Sequence, residues 1–225
     1  MVELARRSTF TQAQEDYLKA LYHLHGDTRQ VPTRDLAQRL GISSPSVSEM
    51  VTRLSAQGLV DHDRYRGQQL TREGRKVALE LVRHHRLLEM FLVQVLGYNW
   101  DEVHDEAERL EHVISERMEQ RIFELLGRPE LDPHGHAIPT LTGKVRPPSE
   151  RTLAQCRAGE KVVVQVVSDE DPARLRELDR RGFKPGTRIE VLAGSEYEGP
   201  IEVRVKGHRL NVPLGLARAM FVERR

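Results

Sequence analysis

Residues 42–71 read "ISSPSVSEMVTRLSAQGLVDHDRYRGQQLT", and this stretch decides the first domain. Ser43 and Ser44 offer side-chain oxygens where a helix would begin, and Pro45 suits a first helical turn. Val47, Met50, Val51 and Leu54 then recur at the spacing of one buried helical stripe, which Gly58 ends. Two short strand patterns follow, joined by a basic turn at Arg64–Gly67. Upstream, "VPTRDLAQRLG" (31–41) predicts a short helix with Thr33 as its N-cap and Gly41 as its stop. "FTQAQEDYLKALYHLHG" (10–26) predicts an earlier helix. Helix, short helix, tight turn, Ser-rich helix and hairpin, in that order, make a winged helix-turn-helix over 1–76.

Downstream the period stays helical across about 77–127. "VALELVRHHRLLEMFLVQVLG" (77–97) is apolar on more than one side, which predicts burial or a subunit interface. One or two further helices are expected between Trp100 and Gly127. Five prolines from Arg128 to Glu150 read as a linker. From about 151 the pattern becomes short strands, with "DPARLRELDRRG" (171–182) as one helix. The expected fold is mainly α with a small β-barrel: the winged domain, a helical domain over 77–145, and an SH3-like β-domain over 146–225.

With 225 residues the chain can bury more than one core. No run approaches 18 apolar residues, and "MVELARRSTF" lacks a signal peptide's apolar segment, so no membrane partner is expected. A single cysteine, Cys156, excludes an internal disulfide framework and fits a cytoplasmic location. Charge is uneven: 12 Lys+Arg stand against 9 Asp+Glu over 1–76, 8 against 14 over 77–150, and 15 against 11 over 151–225. An acidic centre between basic ends is what a cation site beside an anion-binding module requires.

Two constellations carry chemistry. A helix entering the DNA major groove presents short polar side chains early, and Ser43, Ser44, Ser46 and Ser48 answer to that, with Pro45 an apolar face for a thymine methyl. Arg53 lies further along for a phosphate, and Arg64 and Arg66 on the wing would grip the flanking backbone. Glu49 on the same helix is acidic, able to accept from a cytosine amine or to repel the backbone. The second constellation is "HDEAERLEH" (104–112), four carboxylates and two histidines in nine positions. On a helix Glu108, Glu111 and His112 converge, with His104 one turn earlier. His85 and Glu89 make a similar pair on the preceding helix. Two antiparallel helices could bring them together, and oxygen with imidazole and no thiolate suits Mn2+ or Fe2+ over structural zinc.

The stretches "EDYLKALYHL", "SPSVSEMVTRL..GLV", "HRLLE" and "VHDEAERLEHVISE" resemble the diphtheria toxin repressor family of metal-dependent transcriptional regulators across about residues 10–140. The resemblance implies a homodimer that binds a palindromic operator, with the middle domain supplying the dimer interface. It also implies a primary metal site of Asp16, Glu108, Glu111 and His112, and an ancillary site of His85, Glu89 and His104. From the β-domain, Glu170 or Asp171 would add a ligand. Iron-type members carry Met and Cys where this chain has Asp16 and Glu108, so Mn2+ is the expected ion and Fe2+ the alternative. The manganese-type pattern has an acidic residue where this chain has Lys19, and a protonated amine is no ligand.

Other classes fit less well. Ferritin-like di-iron sites need Glu-x-x-His on each of two helices. The nearest spacing here is Asp101-x-x-His104, and no phosphate loop or nucleophile motif appears, so no enzyme and no small-molecule substrate are expected. A helix-turn-helix regulator that senses a small organic ligand would leave the acidic–histidine cluster unexplained.

Overall fold

The computed structural model describes residues 10–63, 65–147, 149–169, 171–195 and 199–225. Arg64 and Glu170, both candidate site residues, lie outside the described residues. The chain divides into two units, one of 1–85, 110–120 and 139–144, the other of 86–109, 121–138 and 145–225.

The first unit is built on the winged helix-turn-helix. Helix α1 (Gln12–His23) starts at a reciprocal cap: the Thr11 hydroxyl accepts from the Gln14 amide, and the Gln14 side chain accepts from the Thr11 amide. Helix α2 (Thr33–Leu40) differs from expectation at its start. Pro32 holds the N-cap position, and Thr33 is already helical, its hydroxyl donating to Gln68 Oε1 at 3.3 Å. Gly41 closes α2 in the left-handed region. Helix α3 (Ser44–Ala56) begins as expected: Ser43 accepts from the Ser46 amide and Pro45 lies in the first turn. Val47, Val51 and Leu54 are fully buried beside Leu18, Leu21 and Leu36.

Strands β1 (Val60–Asp63) and β2 (Gly67–Leu70) form the wing, antiparallel, with Val60 opposite Leu70 and Asp63 opposite Gly67. Asp63 Oδ1 accepts from the amides of Tyr65 and Arg66 and closes the turn. Those amide bonds are the main reason the Asp63 carboxyl is held below the usual range. Val31 and Gln68 exchange both backbone hydrogen bonds, which ties the wing to the chain before α2. Gly67 is required there: its φ is +108°, and a Cβ would lie 2.1 Å from the Val31 carbonyl oxygen. Helix α4 (Arg72–Gln94) follows directly.

The second unit holds most of α5 (Val103–Leu110), part of α6 (Glu116–Leu125), and the C-terminal sheet. β3 (Lys161–Val167), helix α7 (Pro172–Arg180), β4 (Arg188–Ala193), β5 (Ile201–Val205), β6 (His208–Val212), helix α8 (Leu214–Arg218) and β7 (Met220–Arg224) follow in sequence. Sheet order is β6-β5-β4-β3-β7, antiparallel throughout. Alternate residues of β3, β4 and β5 are buried around Phe183, Leu175 and Leu178. The SH3-like expectation stands with one correction. Among the described residues β6 and β7 are edges that do not pair, so the sheet is open and no barrel closes.

The proline-rich stretch is also more than a linker. Leu131 bridges Ala137, the Val167 amide donates to the His134 carbonyl, and a Cβ on Gly135 would lie 2.0 Å from the Gln165 carbonyl oxygen. Asp132 and His134 are buried in it. Its turns are held by these specific bonds, which periodicity does not register.

Candidate metal centre

In the first unit, α1 presents Glu15, Asp16 and Lys19, and α4 presents His85. Glu111 and His112 do not lie on α5 as their spacing predicts. The helix stops at Leu110, and both residues occupy the turn before α6. Asp16, Glu111 and His112 nevertheless converge, each offering one donor atom within 4.8 Å of the others. His112 Nε2 is 3.0 Å from Asp16 Oδ1 and 3.8 Å from Glu111 Oε1. Its other ring nitrogen, Nδ1, is 2.6 Å from Glu15 Oε2. Glu15 thereby orients the imidazole and leaves Nε2 turned toward Asp16 and Glu111.

Burial opposes charge on His112, but hydrogen bonds to Asp16 and Glu15 and the charges of Asp16 and Glu111 outweigh it and raise the pKa to about 9. Glu111 is fully buried, and the Lys19 ammonium donates to both of its oxygens, at 2.7 and 2.8 Å. His85 Nδ1 is 2.5 Å from Glu111 Oε2 and 3.3 Å from Lys19 Nζ. The Asp16 side chain keeps 42% of its surface exposed, which provides a route for an ion from solvent. Two carboxylates and an imidazole with a carboxylate behind it fit a divalent cation of the Mn2+ or Fe2+ kind.

The second unit holds another group. Glu89, His134 and Asp169 offer donor atoms within 4.8 Å of one another. His134 is fully buried and stacked on Trp100 at 5.5 Å between centroids. Its Nε2 lies 2.8 Å from the Trp100 carbonyl, and Nδ1, 3.6 Å from Glu89 Oε2, makes no hydrogen bond. Asp132 Oδ1 accepts from the amides of His134 and His136 and fixes this loop. Burial lowers the His134 pKa, yet the Glu89 contact and the charges of Glu89, Asp132 and Asp169 bring it to about 9. Burial raises the Asp169 carboxyl, and His136, His134 and His104 more than reverse that and hold it low. A buried imidazole nitrogen without a hydrogen bond, facing carboxylates, also fits a cation.

Of the expected ligands, Asp16, Glu111 and His112 thus meet in the first unit, and His85 meets Glu111. In the second unit His104 Nδ1 is 3.6 Å from Glu89 Oε1, and its Nε2 is 3.8 Å from Glu108 Oε1. Asp171 caps α7 by accepting from the amides of Ala173 and Arg174, and the β-domain residue beside the histidines is Asp169. Glu15, His134 and Asp169 were not among the expected site residues. The acidic pair Glu15–Asp16 is the only sequence signal for the first.

Ser43, Ser44, Pro45, Ser46, Ser48, Arg53 and Arg66 are all exposed. Ser48 donates to the Ser44 carbonyl. Glu49 pairs with Arg53 on the same helix, so its charge does not stand alone against a phosphate. Tyr65, 92% exposed at the wing tip, extends the candidate surface. Tyr17 reaches the first turn of α3 through its hydroxyl, which donates to the Ser46 carbonyl at 3.4 Å. The Gln14 side-chain nitrogen Nε2 donates to Gln57 Oε1, just past the end of α3, at 2.9 Å.

Three family models match the chain: an iron-dependent repressor N-terminal DNA-binding domain over 9–68, an iron-dependent repressor metal-binding and dimerisation domain over 71–140, and a FeoA domain over 151–224. The iron-dependent repressor IdeR of Mycobacterium leprae is 32% identical over 93% of this chain and 96% of its own. The diphtheria toxin repressor of Corynebacterium glutamicum is 32% identical over 93% and 95%. Among solved structures, a manganese-dependent transcriptional repressor in complex with manganese is 42% identical, covering 94% of this chain and 100% of that one, with a TM-score of 0.86.

Proposed function

This chain belongs to the diphtheria toxin repressor family of metal-dependent transcriptional regulators, and from that premise we propose that it represses metal-homeostasis genes in response to cytoplasmic Mn2+. It is a DNA-binding repressor that works as a homodimer under the control of a divalent metal ion. The convergence of Asp16, Glu111 and His112 carries the reading. The proposed primary ligands are Asp16, Glu111 and His112, with Glu15 orienting His112. Glu89, His134 and Asp169 are proposed as a second site, with His104 and Glu108 as further donors in that unit. Oxygen-rich donors and the lack of a sulfur ligand favour Mn2+ over Fe2+.

A bound divalent ion supplies the positive charge that the buried carboxylates lack. The residues do the rest. Asp16 fastens α1, Glu111 and His112 fasten the turn after α5, and Glu15 keeps the Nε2 lone pair available. Without that charge, Asp16 and Glu15 rely on protonated His112, a weaker tie than coordination. The exposed face of α3 and the wing would then engage each half of a palindromic operator. Operator gel shifts test this. Binding should require Mn2+ or Fe2+, disappear with chelator, and fail at the same ion concentration in Asp16→Ala. Equal binding with chelator overturns the reading.

A further inference from the structure

We propose that Glu49, held by Arg53, is a base-reading residue of α3 that selects cytosine at one position in each operator half-site; this rests on the operator reading above. Val47, Val51 and Leu54 are fully buried and define the inward side of the helix. Pro45 and Glu49 each stand two residues from Val47, and Ala56 stands two from Leu54, about 200° around the helix axis. These three residues are exposed and form the outermost ridge of α3. Pro45 and Ala56 carry no side-chain hydrogen-bonding group, so Glu49 is the polar residue at the front of the surface that meets DNA.

The hydroxyl side chains around it are already engaged. Ser48 donates to the Ser44 carbonyl at 3.0 Å, Thr52 donates to the Ser48 carbonyl at 2.8 Å, and the Ser43 and Ser46 hydroxyls bond each other at 2.8 Å. These short side chains bond within the helix itself. Glu49 reaches further, and its carboxylate, paired with the Arg53 guanidinium one turn on, stays mostly exposed. That pairing offsets the repulsion a lone carboxylate would meet from the phosphates. An ionised carboxylate only accepts hydrogen bonds. In the major groove guanine presents two acceptors, thymine an acceptor and a methyl group, and adenine a donor beside an acceptor. Cytosine presents a donor with no acceptor of its own, so its N4 amine is the base edge that Glu49 fits.

The test is selection from a random double-stranded DNA library by full-length protein with Mn2+, comparing wild type with Glu49→Ala and Glu49→Gln. Fluorescence anisotropy then measures all four bases at each enriched position. Wild type should favour cytosine at one position per half-site by at least about five-fold over the other three bases. Glu49→Ala should lose that preference while the rest of the motif persists, which also reports that α3 is still folded. Glu49→Gln should move the preference from cytosine to adenine, because an amide can donate to N7 and accept from the N6 amine together. An unchanged base preference in Glu49→Ala overturns the proposal. So does an equal loss at every position, since it would make Glu49 a general contact and not a reader of one base. A library from which wild type with Mn2+ enriches no motif fails the operator reading itself, and the proposal falls with it.

Discussion

Glu15 shows how much of the proposed site depends on a residue outside its proposed ligand set. Its carboxylate holds His112 Nδ1 at 2.6 Å across 97 positions of sequence. Orienting partners of this kind typically contribute about 10–100-fold to metal affinity, so Glu15→Gln should weaken Mn2+ binding by that order in calorimetry while the ion count stays the same. The same contacts set a pH dependence. The His112 pKa rises from 6.5 to about 9 in the folded, metal-free protein. A raised pKa means stabilisation that is complete below 6.5 and is lost as pH climbs through about 9. Melting temperatures of metal-free wild type should therefore fall toward those of His112→Gln across that window, and a constant gap would contradict the assignment. Glu111 and His112 stood out as candidates because a dense acidic–histidine run is visible in sequence, whereas Asp16 entered only through the family resemblance. Glu15's role was not legible, because its partner comes from the far end of the domain.

Among the elements, α3 was read nearly to the residue, since a capping serine, a first-turn proline and an unbroken apolar stripe are all local signals. Two other elements were not. The turn carrying Glu111 and His112 continues a helical pattern that the backbone abandons at Leu110. The stretch around Asp132 and His134 has no periodicity, and its order comes from side-chain-to-backbone bonds and from packing on β3. The wing yields a prediction at this scale. Gly67 combines a left-handed backbone with contact against the Val31 carbonyl, so Gly67→Ala should destabilise the winged unit by about 2–4 kcal/mol in urea unfolding. A cost below about 0.5 kcal/mol would show that the strand shifts freely.

For the whole molecule, the change from helical to strand periodicity near residue 151 announced a separate β-domain, but the openness of its sheet was not legible. Closure depends on whether β6 and β7 meet, a long-range pairing with no local signature. The acidic middle segment likewise signalled a cation site without saying that Lys19 would already supply one positive charge to it.

One arrangement bears on what kind of information the repressor passes on. Helix α1 clasps α3 at both ends, through Tyr17 to Ser46 and through Gln14 to Gln57, while Glu15 and Asp16 on the same helix contact His112 at the proposed ion site. The reading surface is therefore gripped as one rigid block, and the ion can alter how that block is held but not the pattern of groups it displays. Metal should act as a volume control and leave the tuning alone. Across a panel of mutated operators, falling Mn2+ should weaken every sequence by a similar factor and preserve their rank order in fluorescence anisotropy. A reshuffled order would mean that the block deforms.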